Sequence, residues 1–153
     1  VMEIKLELVK EEEKEILFRL LQYSLFEENI KEMNEEGIFD YPWFDAYFTE
    51  KDRYAFFIKE KESDSLAGFV MVNSYLQKFS EGHSIAEFMV IPGYRRKKVG
   101  KQAAYACFDR FKGNWEVSPA KESSQAYYFW KHVIGEYTND SYQWEDGIFL
   151  FHC

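Results

Sequence analysis

Five cations lie between positions 92 and 101, and no acidic residue accompanies them: Arg95, Arg96, Lys97, Lys98 and Lys101. They follow an apolar run that Pro92-Gly93 ends, and they precede a helical pattern that opens at Val99-Gly100. The free N–H groups of a first helical turn, the helix dipole and nearby cations all favour a bound anion. A strand, a tight basic loop and a helix N-terminus therefore predict a site for a phosphate-bearing cofactor.

The remainder of the chain is acidic, because the loop holds five of the 19 basic residues and none of the 27 acidic ones. A nucleic-acid footprint needs a broad basic face, so we expect no nucleic-acid partner. A single basic loop is better suited to a small polyanionic ligand. The acidic surface either attracts a cationic co-substrate or is only a solvated surface.

Length and composition indicate one compact domain over residues 1–153, with no linker that divides it. No apolar run approaches the roughly 18 residues that span a bilayer, and the first residues are charged, so we expect no membrane partner and a cytoplasmic location. The two cysteines, Cys107 and Cys153, form no CxxC pair, and we expect neither a disulfide framework nor a metal site.

Alternation and helical spacing predict a mixed, mostly antiparallel order of elements. Strands are expected at 3–8, 54–59, 66–75, 83–91, 115–117, 137–144 and 148–152, and helices at 11–26, 99–111 and 123–134. The segment 29–53 is irregular and aromatic, with a short helix that could begin at Pro42. This order predicts an α+β (mixed α/β) domain rather than a doubly wound sheet.

Two common phosphate motifs are absent. A Walker-type loop needs GxxxxGK followed by Ser or Thr, but six residues rather than four lie between Gly93 and Gly100, and Gln102 follows Lys101. No GxGxxG is present either. The stretch Met89 to Lys101 instead resembles the acyl-CoA-binding motif of the GNAT superfamily of N-acetyltransferases, which reads hydrophobic-Val-x-Pro-x-Tyr-Arg-x-(Lys)-Gly-(Ile/Val)-Gly. The stretch Ser123 to Trp130 looks like the family's Asn-x-x-Ala-x-x-Phe-Tyr segment.

The resemblance implies a central, mostly antiparallel twisted sheet flanked by helices, and acetyl-CoA as co-substrate. Backbone amides at the helix start and side chains of the loop would hold the pyrophosphate and ribose phosphate; an exposed basic turn is the alternative. The strand before the loop would pair its backbone with the pantetheine arm, and the amide near Val90 would polarise the thioester carbonyl. The cofactor-binding residues implied are Phe88, Met89, Val90, Arg95, Arg96, Lys97, Lys98, Val99, Gly100, Lys101, Ser123, Ala126 and Trp130.

The chain departs from the family pattern at three positions. Lys98 occupies the place of the first glycine, where a side chain could crowd the pyrophosphate while its charge could offset that cost. Ser123 replaces the asparagine. Trp130 replaces the tyrosine that often protonates the departing thiolate, so an acid must be found elsewhere.

Acetyl transfer to an amine needs a base and an acid. Glu87 is the preferred base, because it lies at two-residue spacing from the apolar Ile85 and Met89, although a salt-bridged glutamate is the alternative. His83 is a second candidate. Tyr127, three residues before Trp130, is the preferred acid, ahead of Tyr128 and Cys107.

The aromatic segment from Phe39 to Phe48 would flank the acceptor mouth in this fold, either as a cage for an amine or simply as packing. These patterns predict an N-acetyltransferase that uses direct attack in a ternary complex, with a small-molecule or peptide amine as acceptor. A non-catalytic acyl-CoA-binding or sensing domain is the alternative, and a homodimer is one further partner that the sequence leaves open.

Overall fold

The structure, a computed structural model, describes residues 2–29, 31–119 and 124–153. Strands and helices are interspersed along these residues, and the later helices follow the fourth and fifth strands. The strands are β1 (Ile4–Leu8), β2 (Arg53–Glu60), β3 (Leu66–Asn73), β4 (His83–Val90), β5 (Asn114–Val117), β6 (Gln143–Glu145) and β7 (Ile148–His152). The helices are α1 (Lys14–Glu28), α2 (Val99–Arg110) and α3 (Gln125–Thr138).

The strands form one sheet in the order β1-β2-β3-β4-β5-β7-β6. Every neighbouring pair is antiparallel except β4 and β5, which run parallel because α2 carries the chain from one to the other. The predicted mixed α/β fold, with a mostly antiparallel sheet flanked by helices, is confirmed.

An extra residue in β4 divides the sheet. Met71 on β3 faces Glu87, but the next residue, Val72, faces Ile85, so Ala86 is a β-bulge. The pairing of β4 with β5 also ends at this point, since its last pair joins Ile85 to Val117. Beyond the bulge, β4 continues to Val90 paired with β3 on one edge, and no strand of the described residues pairs with its other edge.

The helices pack on both faces of the sheet. The buried leucines of α1 recur at helical spacing and cover β2, β3 and β4. On the opposite face, α2 and α3 pack over a second core that includes Phe56, Val70, Phe108 and Trp115. Of the helices in the described part of the chain, none is long and apolar enough to cross a membrane.

The closing segment differs from the sequence prediction. Helix α3 continues to Thr138 and ends at Asn139 in the left-handed region, so the predicted strand 137–144 is reduced to Gln143–Glu145. The physical reason is tertiary packing: the Tyr137 ring lies 5.1 Å from that of Phe108, and its hydroxyl donates to Asp109 at 2.6 Å. These contacts with α2 favour the helix over a strand at Tyr137.

A buried carboxylate anchors the loop between β3 and β4. Glu116 on β5 is 3% exposed, and its two oxygens accept the backbone N–H groups of residues 77, 78 and 79 at 2.8 to 2.9 Å. Charge-assisted hydrogen bonds of this kind satisfy a buried charge. They also fix the loop that leads into β4.

We expect Glu116→Gln to lower the free energy of unfolding by about 2–3 kcal/mol. The substitution keeps the side-chain volume but replaces one acceptor oxygen with an amide NH₂ that opposes backbone donors. Urea unfolding measures the effect, and Glu62→Gln is the matched control because Glu62 is exposed. Equal unfolding midpoints for the two variants would show that the carboxylate does not anchor the loop.

Candidate active site

The exposed basic loop lies directly before the first turn of α2. Arg96 and Lys98 both have φ of 62°, with Lys97 between them outside the positive-φ region. This alternation is typical of backbone nests, which turn successive N–H groups toward an anion. Lys98 is the N-cap of α2 and makes no side-chain capping bond, so the first-turn N–H groups of Val99, Gly100 and Lys101 stay available.

Not all five cations of the loop are free to meet a phosphate. Arg95 donates from Nη1 and Nη2 to the two carboxylate oxygens of Glu27, at 3.2 and 2.8 Å, and from Nε to the carbonyl of Val90 at 2.7 Å. The bond from Arg95 lowers the pKa of Glu27 below its usual value. Lys101 contacts Glu136 on α3 at 3.0 Å. Arg96, Lys97 and Lys98 are exposed.

The open side of β4, beyond Ile85, presents backbone groups that no strand of the described residues pairs with. The N–H of Ile91 donates to Ala67 on β3, and backbone direction alternates in an antiparallel pair. Phe88 and Val90 therefore direct their N–H and C=O groups away from β3, as the bond from Arg95 to the Val90 carbonyl also shows. Met89 directs its backbone groups to β3 instead. Of the three residues predicted to pair with a pantetheine arm, two have the required orientation.

Aromatic side chains line the wall between β4, α2 and α3. The Phe88 ring lies 5.8 Å from that of Phe129 and 4.9 Å, edge on, from that of Trp130. A Cβ at Gly100 would lie 3.0 Å from the Phe129 ring, so this glycine lets α2 approach α3 closely. Phe129 was not among the predicted cofactor-binding residues, although it occupies the motif position before Trp130. Ala126 is exposed on α3, and Ser123 lies outside the described residues.

The candidate acids are separated from β4. The Tyr127 ring stacks on Phe149 of β7 at 5.6 Å and meets Trp144 edge on at 4.9 Å. It therefore packs on β7, which is two strands away from β4 in the sheet order. Burial raises the pKa of the Cys107 thiol to about 12. Tyr128 is 57% exposed. The acid role of Tyr127 stays a prediction.

Glu87 lies on the face of β4 that α1 covers, within a small polar cluster. Burial, first of all, and the neighbouring Glu28 charge raise the pKa of Glu87 to about 8, against smaller opposing effects of Tyr41 and of the Lys31 charge. Burial, first of all, also raises the pKa of Tyr41 above its ordinary value. A carboxyl that titrates near neutral pH is suited to general-base chemistry.

One sequence interpretation around Glu87 needs correction, and two of its neighbours were not predicted. The expected alternation with both Ile85 and Met89 is wrong for Ile85, because the bulge at Ala86 turns Ile85 to the opposite core while Met89 stays on the Glu87 face. Sequence reasoning also missed Glu28 and Tyr41. Both are far from Glu87 in sequence, so no local spacing could identify them.

His83 occupies another part of the molecule. Its ring stacks on Phe111 at 4.5 Å, and burial lowers its pKa. Its Nδ1 is buried without a hydrogen-bond partner in the described part of the chain. Four residues of extended strand, about 13 Å, separate it from Glu87. The structure does not bring these two candidate bases together.

The aromatic segment already encloses a side chain of the protein itself. The Arg53 guanidinium lies 4.2 Å from the ring centroid of Tyr75, 5.3 Å from that of Trp43 and 5.5 Å from that of Tyr47. Phe39, Phe44 and Tyr47 are buried in the α1-side core. The packing interpretation of this segment therefore holds for most of its rings.

The fold and these motif positions agree with a family comparison. The model of the acetyltransferase (GNAT) family matches residues 16–131, which include most of α1, the bulged strand and the basic loop. The chain belongs to the GNAT family of acetyltransferases. A search of curated protein sequences found no significant match.

Solved structures of similar fold include several acetyltransferases. A GNAT-family acetyltransferase from Staphylococcus aureus Mu50 is 13% identical with a TM-score of 0.61, and the match covers 98% of this chain and 99% of that one. Spermidine N-acetyltransferase from Vibrio cholerae, in complex with CoA and spermine, is 11% identical with a TM-score of 0.66 over 97% and 95%. An aminoglycoside acetyltransferase from an uncultured soil metagenomic sample is 17% identical with a TM-score of 0.59 over 85% and 86%. At identities this low, the structural similarity shows a shared fold and nothing more specific.

The residues described hold no group of three His, Cys, Asp or Glu side chains that could bind a metal ion.

We expect Lys98→Gly to raise the free energy of unfolding by about 0.5–1 kcal/mol, because a side chain at φ of 62° is strained and glycine is not. CoA affinity should change by less than about tenfold, since a lost cation and a relieved backbone oppose each other. Lys97→Gly is the matched control, because φ at Lys97 is not positive and glycine should only destabilise there. Equal destabilisation by both substitutions would contradict the strain argument.

Proposed function

We propose that the protein transfers the acetyl group of acetyl-CoA to a primary amine, by direct attack of the amine in a ternary complex. The observation that carries this proposal is the open side of β4 beyond the bulge at Ala86. It lies between two chemically distinct surroundings: the basic loop at the end of the strand, and Glu87 on the face covered by α1.

The cofactor site supports the first half of the proposal. The exposed cations Arg96, Lys97 and Lys98 and the first-turn amides of α2 would hold the phosphates. The N–H groups of Phe88 and Val90 would bond the pantetheine arm and the thioester oxygen, because they lie on the edge of β4 that points away from β3. The structure of similar fold that contains CoA and spermine is consistent with a polyanionic donor and an amine acceptor.

The Glu87 cluster supports the second half. A lysine-like amine with a pKa of about 10.4 is protonated at neutral pH, so a base must remove its proton before attack. The amine nitrogen would then form a bond to the thioester carbon, and the carbon–sulfur bond would break to release CoA thiolate. An amide at the open edge of β4 would stabilise the oxyanion that forms on the carbonyl.

A non-catalytic acyl-CoA-binding domain is the second candidate function. Trp130 supports it, because an indole takes the place of the family's proton-donating tyrosine and packs against Phe88. Incubation with acetyl-CoA and a panel of amines, read as release of free thiol, distinguishes the two candidates. Thiol release that depends on the amine supports the transferase, whereas tight CoA binding without release supports the binding domain.

Reversing both Arg95 and Arg96 to Glu should lower CoA affinity at least a hundredfold: reversal of Arg96 loses a charge-assisted bond to phosphate, which contributes about 1.5–3 kcal/mol, and reversal of Arg95 replaces its ion pair with Glu27 by a repulsion that displaces the loop. Isothermal titration measures the affinity, which should also weaken as salt screens the exposed contacts. The pair Arg19→Glu and Lys51→Glu is the matched control, since it makes the same charge change at exposed positions elsewhere. Unchanged affinity in the loop variant would remove the cofactor from this loop.

Glu87→Gln should lower turnover by roughly 10²-fold or more while CoA affinity stays near that of the unsubstituted protein, because shape is kept and basicity is lost. Since only the ionised carboxylate accepts a proton, kcat/KM of the unsubstituted protein should rise with pH through about 8. The variant should lose this limb of the pH profile.

Tyr127→Phe provides the comparison for the acid, because it keeps the ring packing and removes only the hydroxyl. A fall in turnover where thiolate departure limits the rate would make Tyr127 the acid. Unchanged turnover in both variants would contradict both assignments and leave positioning and oxyanion stabilisation as the mechanism.

A further inference from the structure

Arg95, the first cation of the basic loop, binds two other elements of the protein. Its Nη1 and Nη2 groups donate to the two carboxylate oxygens of Glu27 at 3.2 and 2.8 Å, and its Nε donates to the Val90 carbonyl at 2.7 Å. One guanidinium therefore joins the loop to the last residue of β4 and to the last turn of α1. The planar fork of arginine matches a carboxylate with two parallel bonds, so this contact fixes an orientation as well as a distance.

The backbone that follows Arg95 needs contacts that hold it. Arg96 and Lys98 both have φ of 62°, in a region that residues other than glycine avoid. Strained backbone persists only where the surrounding structure determines it. On the far side of the strained residues, Val99 is buried in a core cluster and fixes the start of α2. On the near side, the bonds of Arg95 tie the loop to α1 and β4.

Glu27 is a firm anchor for these bonds. The turns of α1 that precede it are fixed by Leu21 and Leu25, which are buried in the core. The C-terminal end of a helix disfavours negative charge, and the last turn of α1 contains no basic residue, so Arg95 supplies the cation that this end lacks. The ion pair therefore favours both the loop and the helix end.

We propose that Arg95 is a positioning residue rather than a phosphate ligand, because it ties the basic loop to α1 through Glu27 and to β4 through Val90. The inference rests on the proposed function in that it takes this loop as the cofactor site. The three exposed cations that follow Arg95 then meet the phosphates. The bond to the Val90 carbonyl also removes one acceptor from the open edge of β4, so a pantetheine arm would pair with the backbone of Phe88 and the N–H of Val90.

The charge of Glu27 makes the sign of one substitution decisive. Isothermal titration of the full chain with CoA measures the affinity of Glu27→Gln. If Glu27 positions the loop through Arg95, the affinity should fall about threefold to tenfold, because a two-bond ion pair is lost. If a phosphate instead displaces Glu27 from Arg95, loss of the competing negative charge should raise the affinity, and this result overturns the inference. Glu15→Gln, the same change at an exposed position of α1, should leave the affinity in place.

Exchanging the two charges separates a positioning role from a ligand role. Arg95→Glu alone should lower CoA affinity about tenfold or more, because two carboxylates then repel each other. The double variant Arg95→Glu with Glu27→Arg should recover most of this loss, since the ion pair forms again with its charges reversed. An arginine on α1 does not restore a phosphate ligand at position 95. A double variant that binds CoA as weakly as Arg95→Glu therefore overturns the inference.

The order of the loop can be measured without any ligand. Nitrogen-15 relaxation of the free protein gives backbone order parameters for residues 95–98. Glu27→Gln should lower them from the values of rigid backbone toward those of a flexible loop, whereas Glu15→Gln should not. Unchanged order parameters in Glu27→Gln overturn the positioning role, whether or not CoA binds.

The outcomes also separate this inference from the proposed function. If CoA binds but no amine is acetylated, the transferase is rejected, and the sign of the Glu27→Gln effect still decides the role of Arg95. If CoA does not bind, the cofactor site is rejected, and the order parameters decide whether Arg95 holds the loop. With an active amine, Glu27→Gln should raise KM for acetyl-CoA while kcat stays within about twofold. A fall in kcat with KM unchanged overturns the positioning role.

Discussion

The bulge at Ala86 is the constraint on which the candidate site depends. A backbone N–H needs a partner, and a continuous sheet would pair those of Phe88 and Val90 with β5. Because the extra residue bends β4 where its pairing with β5 ends, these groups lie on an edge that no strand of the described residues pairs with. The same residue keeps Glu87 with Met89 and Met71 on the α1 side while it sends Ile85 to the other core. One inserted residue therefore creates the open edge and determines the face on which the base candidate lies.

The end of α1 links the two halves of the site. Glu27 forms a two-bond ion pair with Arg95 of the basic loop, and the charge of the next residue, Glu28, raises the pKa of Glu87. Consecutive side chains on a helix point about 100° apart, so adjacent residues can contact different partners. Two adjacent acidic residues of α1 thus have different roles. Glu27 holds the first arginine of the loop, and Glu28 raises the pKa of the base candidate.

The basic loop combines a family feature with residues particular to this chain. Backbone at φ of 62° is natural for glycine, yet Arg96 and Lys98 adopt it. Their exposed side chains place positive charge over the open first turn of α2. The loop therefore gains charge at the cost of local strain, which loops at ligand sites commonly carry. Position 100, in contrast, requires glycine, because a side chain there would meet the Phe129 ring.

Local sequence patterns determined much of this protein. The α1 leucines and the alternating strands predicted most elements, and the motif from Met89 to Lys101 indicated the family that the comparison shows. The anion site that the run of cations predicts stays a prediction. These signals are local because N–H groups, helix periodicity and strand alternation are properties of adjacent residues.

Only the tertiary structure decided the rest, because it depends on residues that are distant in sequence. The bulge at Ala86 arises from the register between β3 and β4, which no single strand encodes. Tyr137 is helical because it packs on Phe108, and Arg53 rather than a ligand contacts the rings of Trp43, Tyr47 and Tyr75. The Glu28 charge at the end of α1 raises the pKa of Glu87 on β4. The sequence supplied both carboxyls, but burial and proximity, which set their proton affinity, exist only in the folded chain.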